Sequence, residues 1–158
     1  MSYPEAEKRF AADAMLGRLA RWLRVLGFDT VHIPDVDDHD LVALADREGR
    51  ILLTRDRHLV TYLRPRNSLL LQSLSPHEQL LEVAEACGIG MAEDLFTRCM
   101  VCNTELRQAT EQEVATLVPD KARARPGPFL RCPGCGRVYW PGSHTRRMRR
   151  GLETLFPD

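Results

Sequence analysis

No stretch of this 158-residue chain approaches the roughly 18 consecutive apolar residues that a membrane-spanning helix requires, and its first 30 residues carry charges throughout. A membrane span and a secretory leader are therefore not expected, and a cytoplasmic setting without a membrane partner is. Net charge is missing as well, with 22 Lys and Arg set against 22 Asp and Glu. There is no internal repeat and no low-complexity tract. What remains, 44% hydrophobic and 28% charged residues, describes a globular protein rather than a disordered one.

The zero sum hides an asymmetry. Residues 1–120 hold 13 Arg or Lys against 20 Asp or Glu, whereas residues 121–150 hold nine Arg or Lys and no acid. An acidic body thus carries a basic C-terminal segment, suited to phosphates or, more plainly, to water.

Along the acidic body, strand-like and helix-like patterns alternate. "KRFAA" (8–12) reads as a strand ending at Asp13; Met15, Leu16, Leu19, Trp22, Leu23 and Leu26 then recur at helical spacing up to Gly27. "TVHIP" (30–34) is a second strand, Leu41–Glu48 a second helix stopped by Gly49, and "RILLT" (50–54) a third strand ending near Asp56. A short helical segment at 57–63 leads to the apolar strand "SLLLQ" (68–72), and Ser75, Pro76 and Glu78 open a helix that stops at Gly88. Right-handed crossovers place such units in a parallel sheet flanked by helices, giving an α/β domain over residues 1–96.

In that architecture the C-terminal ends of the strands share one edge, where ligands bind. Asp13 follows the first strand, the run "DVDDHD" (35–40) the second, and Asp56 the third. Carboxylates held together at neutral pH repel unless a cation intervenes, and hard divalent ions such as Mg²⁺ or Mn²⁺ take oxygen ligands and activate water for phosphodiester cleavage. Each acid also has a simpler use. Asp13 could cap the first helix, Asp37 with Asp40 has cap spacing at the second, and Asp56 could cap the segment after it. Arg18, Arg21 and Arg24, off the apolar stripe of the first helix, are candidates to hold substrate phosphates or else an ordinary solvated face.

Five cysteines are few, and four of them form two C-x-x-C pairs: Cys99 with Cys102 and Cys132 with Cys135. Each pair suits a knuckle turn followed by a residue that tolerates positive φ, here Asn103 and Gly136. Four thiolates make a closed tetrahedral zinc site of structural type, which defines a second module over residues 97–158. Thr110 and Glu113 stand in capping-box positions for a short helix at about 111–118, and "TRRMRRGLETL" reads as a basic tail helix. Cys87 is left over as a core residue. Tyr139 and Trp140 are placed to stack on bases or to pack the small module, and His144 to touch nucleic acid or brace the fold.

Taken together, "FAADAMLGRLARWLRVLGFDT", "DDHDLVALADREGRILLTRD", the cysteine pairs and "CPGCGRVYWPGSH" resemble the Mut-seven C-terminal RNase domain, a family of PIN-like ribonucleases. The resemblance implies a PIN-like α/β sheet followed by a four-cysteine zinc ribbon, and hydrolysis of RNA by a carboxylate-bound Mg or Mn mechanism that leaves a 5′-phosphate and a 3′-hydroxyl. By position it implies Asp13 and Asp56 as the outer pair of acids; the middle acid is Asp38 first, then Asp37, with Asp40 as an additional outer acid. Arg18, Arg21 and Arg24, with Thr54 and Arg55 of the T-x-D segment and His144, are the candidate substrate-binding residues. RNA is the implied partner; a protein partner has no signal in the sequence. The chain departs from the PIN pattern in being shorter and in offering no obvious Glu after the second helix pair. The rival expectation is a non-catalytic RNA- or protein-binding adaptor whose acidic site is vestigial.

Overall fold

Phe10, Ala11 and Ala12 are all fully buried, as expected of a strand covered on both faces. They form β1 (Phe10–Ala12) of a computed structural model in which residues 8–157 are described; residues 1–7 of the first expected domain, and residue 158, lie outside them. Strand β1 pairs with β2 (Thr30–His32) on one side and with β3 (Ile51–Thr54) on the other, and β3 pairs with β4 (Ser68–Leu70). All three pairings are parallel, in the order β2-β1-β3-β4. Because side chains alternate along a strand, Phe10, Ala12 and Leu53 enter one core while Ala11 and Leu52 enter the other.

Local signals in the sequence set the helices. Asp13 caps a 3-10 turn (Ala14–Leu16) that leads into α1 (Gly17–Val25), so the single helix expected from Ala14 begins with a tighter turn. Helix α2 (Asp38–Glu48) starts ahead of Leu41 because the Asp37 carboxylate accepts the Asp40 N–H at 3.1 Å. It ends where Gly49 turns left-handed at φ 66°. The segment expected at 57–63 is a π-helical turn (Leu59–Leu63), and α3 (Pro76–Cys87) is capped by Ser75 and closed by Gly88. Helices α1 and α3 cover the Phe10 face, and α2 with the π turn covers the Ala11 face.

Beyond Thr97 the chain forms a second, antiparallel sheet of β5 (Arg107–Gln108), β6 (Leu130–Arg131) and β7 (Val138–Tyr139). Helix α4 (Glu111–Leu117) opens with the full Thr110–Glu113 capping box. A short α5 (Asp120–Arg123) and a long α6 (Ser143–Leu155) complete the fold. Cys87 is half-buried and packs against the Phe10-face core. Among the described residues, no helix is long and apolar enough to cross a membrane.

This C-terminal region shares the Phe10-face core: Met100 and the fully buried Leu152 join Phe10, Leu19 and Leu80 in one cluster. Polar contacts reinforce the seam. Arg24 donates to the carbonyls of Thr30, Met100 and Val101, and Asn103 accepts the Thr30 N–H while donating to Asp29. Asp29 in turn pairs at 2.8 Å with Arg50, itself buried and also paired to Glu48.

Candidate active site and four-cysteine centre

The chain order in the sheet reverses between β1 and β3, since β2 lies to one side of β1 while β3 and β4 follow on the other. A crevice opens at such a switch point, at the C-terminal strand ends. Asp13 follows β1 there and Asp56 follows β3. Thr54, fully buried at the end of β3, ties them together: its hydroxyl donates to Asp13 Oδ2 at 2.7 Å and accepts the Asp56 N–H at 2.9 Å. The other Asp13 oxygen accepts the Ala14 N–H, and Asp56 Oδ1 accepts the N–H groups of His58 and Leu59. Asp13 and Asp56 therefore both cap the turns that follow them, and both also stand at the C-terminal strand ends on either side of the switch point.

Asp38 differs, because capping of α2 falls to Asp37. It is exposed in the first turn, yet its pKa is raised: slight burial acts first, then the negative charges of Asp13, Asp56 and Asp37. Acids from the ends of β1 and β3 thus act on the acid that opens α2. Asp35 and Asp40 are exposed in the same run, and His32 is engaged with the Ala14 carbonyl at 2.8 Å.

Of the arginines on α1, Arg18 and Arg21 are exposed and line a cleft of about 540 Å³ with Gly17, His32 and Pro34. Arg24 differs from its expected place on an outward face. Its guanidinium is buried and spent on backbone carbonyls, and burial lowers its pKa. Arg55, half-buried, stands between Thr54 and Asp56 in the chain, and His144 is exposed on the first turn of α6. An acid that sequence reading passed over is Glu82 on α3, whose carboxylate accepts the N–H groups of Gln72 and Ser73 just after β4, each at 2.9 Å. Its mid-helix position gave no signal of that reach.

The four cysteines converge as their spacing predicts. Their sulfurs all lie within 4.8 Å of one another, with Cys99 and Cys135 at 3.6 Å and Cys102 and Cys132 at 3.4 Å, and none forms a disulfide. Among the described residues no set of three carboxylates is gathered so tightly. Asn103 and Gly136 have positive φ, 76° and 85°, after the second cysteine of each pair. The knuckles meet so closely that a Cβ on Gly134 would come within 2.5 Å of Thr104 Oγ1. Around the sulfurs, the Tyr139 hydroxyl lies 2.9 Å from Cys99 and Thr104 Oγ1 3.2 Å from Cys102. Burial opposes the Cys135 thiolate, but the backbone N–H and guanidinium of Arg137 outweigh it and bring the thiol below its usual range. The donor set and spacing fit a tetrahedral metal ion bound by sulfur.

In comparisons with known proteins, a family model described as the Mut7-C RNAse domain matches residues 8–152. No curated protein and no solved structure matches the chain.

Proposed function

The chain belongs to the Mut7-C RNAse domain family, and from that membership we propose that it is a metal-dependent ribonuclease working at the β1–β3 crevice. The family carries a nuclease-like function with RNA as the implied substrate. The observation that carries the reading at residue level is the Thr54 bridge, which ties together the acids of two adjacent strand ends whose charges both act on Asp38.

Asp13, Asp38 and Asp56 would hold Mg²⁺ or Mn²⁺, with Asp37 and Asp40 as outer acids. The fit is chemical: the donors are hard oxygens, and the charge crowding that disfavours ionised Asp38 is relieved by a cation among them. Such an ion supplies activation of a water and stabilisation of the leaving oxygen. The remaining work belongs to the chain. Thr54 fixes the Asp13 carboxylate, Arg18 and Arg21 orient substrate phosphates from the cleft beside it, and Arg55 contributes charge at the rim. Arg24 also lines that cleft, but its guanidinium is engaged with backbone carbonyls, so its part is to position α1. The four cysteines hold zinc as a structural ion.

The test is cleavage of a labelled RNA of mixed structure in Mn²⁺ or Mg²⁺, with Asp13→Asn/Asp56→Asn in parallel and the product ends determined. Divalent-dependent cleavage leaving 5′-phosphates, reduced at least about a thousandfold in the double variant, is expected. Binding without cleavage by either protein would hand the role to the adaptor reading.

A further inference from the structure

Three hollows on the surface are neighbours through shared wall residues. A cleft walled by Arg18 and Arg21, just after Asp13 in the chain, also includes Val101, one of the two residues between the first two cysteines of the ribbon. Val101 is exposed and also borders a second hollow, of about 360 Å³, with Arg137 and His144. That hollow shares Tyr139, Trp140 and Thr145 with a third, mostly apolar cleft whose outer wall is Arg146 and Arg149 of α6. A trough therefore leads from the turn after Asp13, across the first knuckle, to the tail helix. Cations border it at every stage, and among the described residues no carboxylate lines any of the three hollows.

We propose that this trough carries the unpaired arm of an RNA substrate, with phosphates along its cations and one base against Trp140. The inference rests on the ribonuclease reading and extends it: the four-cysteine module is a grip on the flanking strand, placed to one side of the acids. The charge is complementary to a phosphate chain, which a protein lacking many acids would not match. The aromatic floor of the far cleft selects a single strand, because a base offers its face to a side chain only when unstacked. The grip is sequence-tolerant for the same reason. It makes strand length the specificity variable.

Binding separates this proposal from the chemistry. In the Asp13→Asn/Asp56→Asn background, metal-replete at the cysteines, fluorescence anisotropy would be read for labelled single-stranded RNAs of about 3 to 12 nucleotides and for a blunt duplex. Affinity is expected to rise with length until the strand reaches Trp140. Trp140→Leu, and separately the exposed pair Arg146→Gln/Arg149→Gln, should weaken the longest strand about tenfold and leave the shortest unchanged. The arginine pair should also flatten the salt dependence, by about one to two counterions. Equal loss at every length, no loss in the arginine variant, tighter binding of the duplex, or no RNA binding at all would overturn the trough, the last directing the search to an acidic protein partner. If the parent enzyme cuts RNA while both variants bind long strands normally, the trough fails and the ribonuclease reading stands. Length-dependent binding by a parent that never cuts leaves the trough standing and removes the ribonuclease.

Discussion

Slight burial and then the charges of Asp13, Asp56 and Asp37 make ionised Asp38 a stability cost at the proposed site. Its raised pKa means that the folded chain takes up a proton there more readily than the unfolded one. The penalty is therefore complete above the raised pKa and disappears as pH falls to the ordinary carboxylate range. Asp38→Asn should raise the thermal midpoint at neutral pH by roughly 1 to 2 °C, a gain that fades on acidification, while cleavage is lost. A neutral-pH midpoint that stays put or drops would remove the repulsion from the account. Thr54→Val should cost about 1–3 kcal/mol in urea unfolding, because it strands a buried Asp13 oxygen and the Asp56 N–H, and Thr54→Ser should restore most of it. At this scale the sequence was partly legible. Asp13, Asp37 and Asp56 follow strands or open helices, so their places come from local pattern, but the tie between Asp13 and Asp56 needs two strands paired in space.

Among the elements, α1 shows where local pattern stops. Arg18, Arg21 and Arg24 are three residues apart, and each such step falls about 60° short of a full helical turn. Two steps carry Arg24 away from the exposed side and into the seam. There it serves Thr30, Met100 and Val101, partners far away in sequence. Arg24→Leu would leave those carbonyls unpaired and should cost roughly 2–3 kcal/mol, with Arg21→Leu near neutral as the contrast in the same denaturation series. Caps were readable at once: Ser75, Gly49 and Gly88 act as their types predict, since a cap involves only its own turn. The antiparallel strands β5, β6 and β7, two residues each, carry too little alternation to be read in advance.

For the molecule as a whole, the knuckle around Cys99 and Cys102 is also a strut of the parallel sheet, through Asn103 to Thr30 and Asp29. Stripping the metal from the four cysteines should therefore loosen more than the ribbon. Hydrogen exchange is expected to speed up at Thr30 and along α1 when a chelator is added, with a fall in the thermal midpoint. Exchange confined to residues beyond Thr97 would show two independent units. Composition marked the change at the cysteines, but a core joining Phe10, Met100 and Leu152 was not legible, because nothing local in those residues names its partners.

Leu152 sits fully buried in the core that begins at Phe10. During synthesis every strand of the parallel sheet leaves the ribosome before it, so the core on the Phe10 face, covered first by α1 and α3, is completed only when α6 has been made. The acidic crevice is the first part of the site to be translated and among the last to be firmly supported. A nascent or prematurely ended chain thus carries the acids before the core beneath their strands is complete.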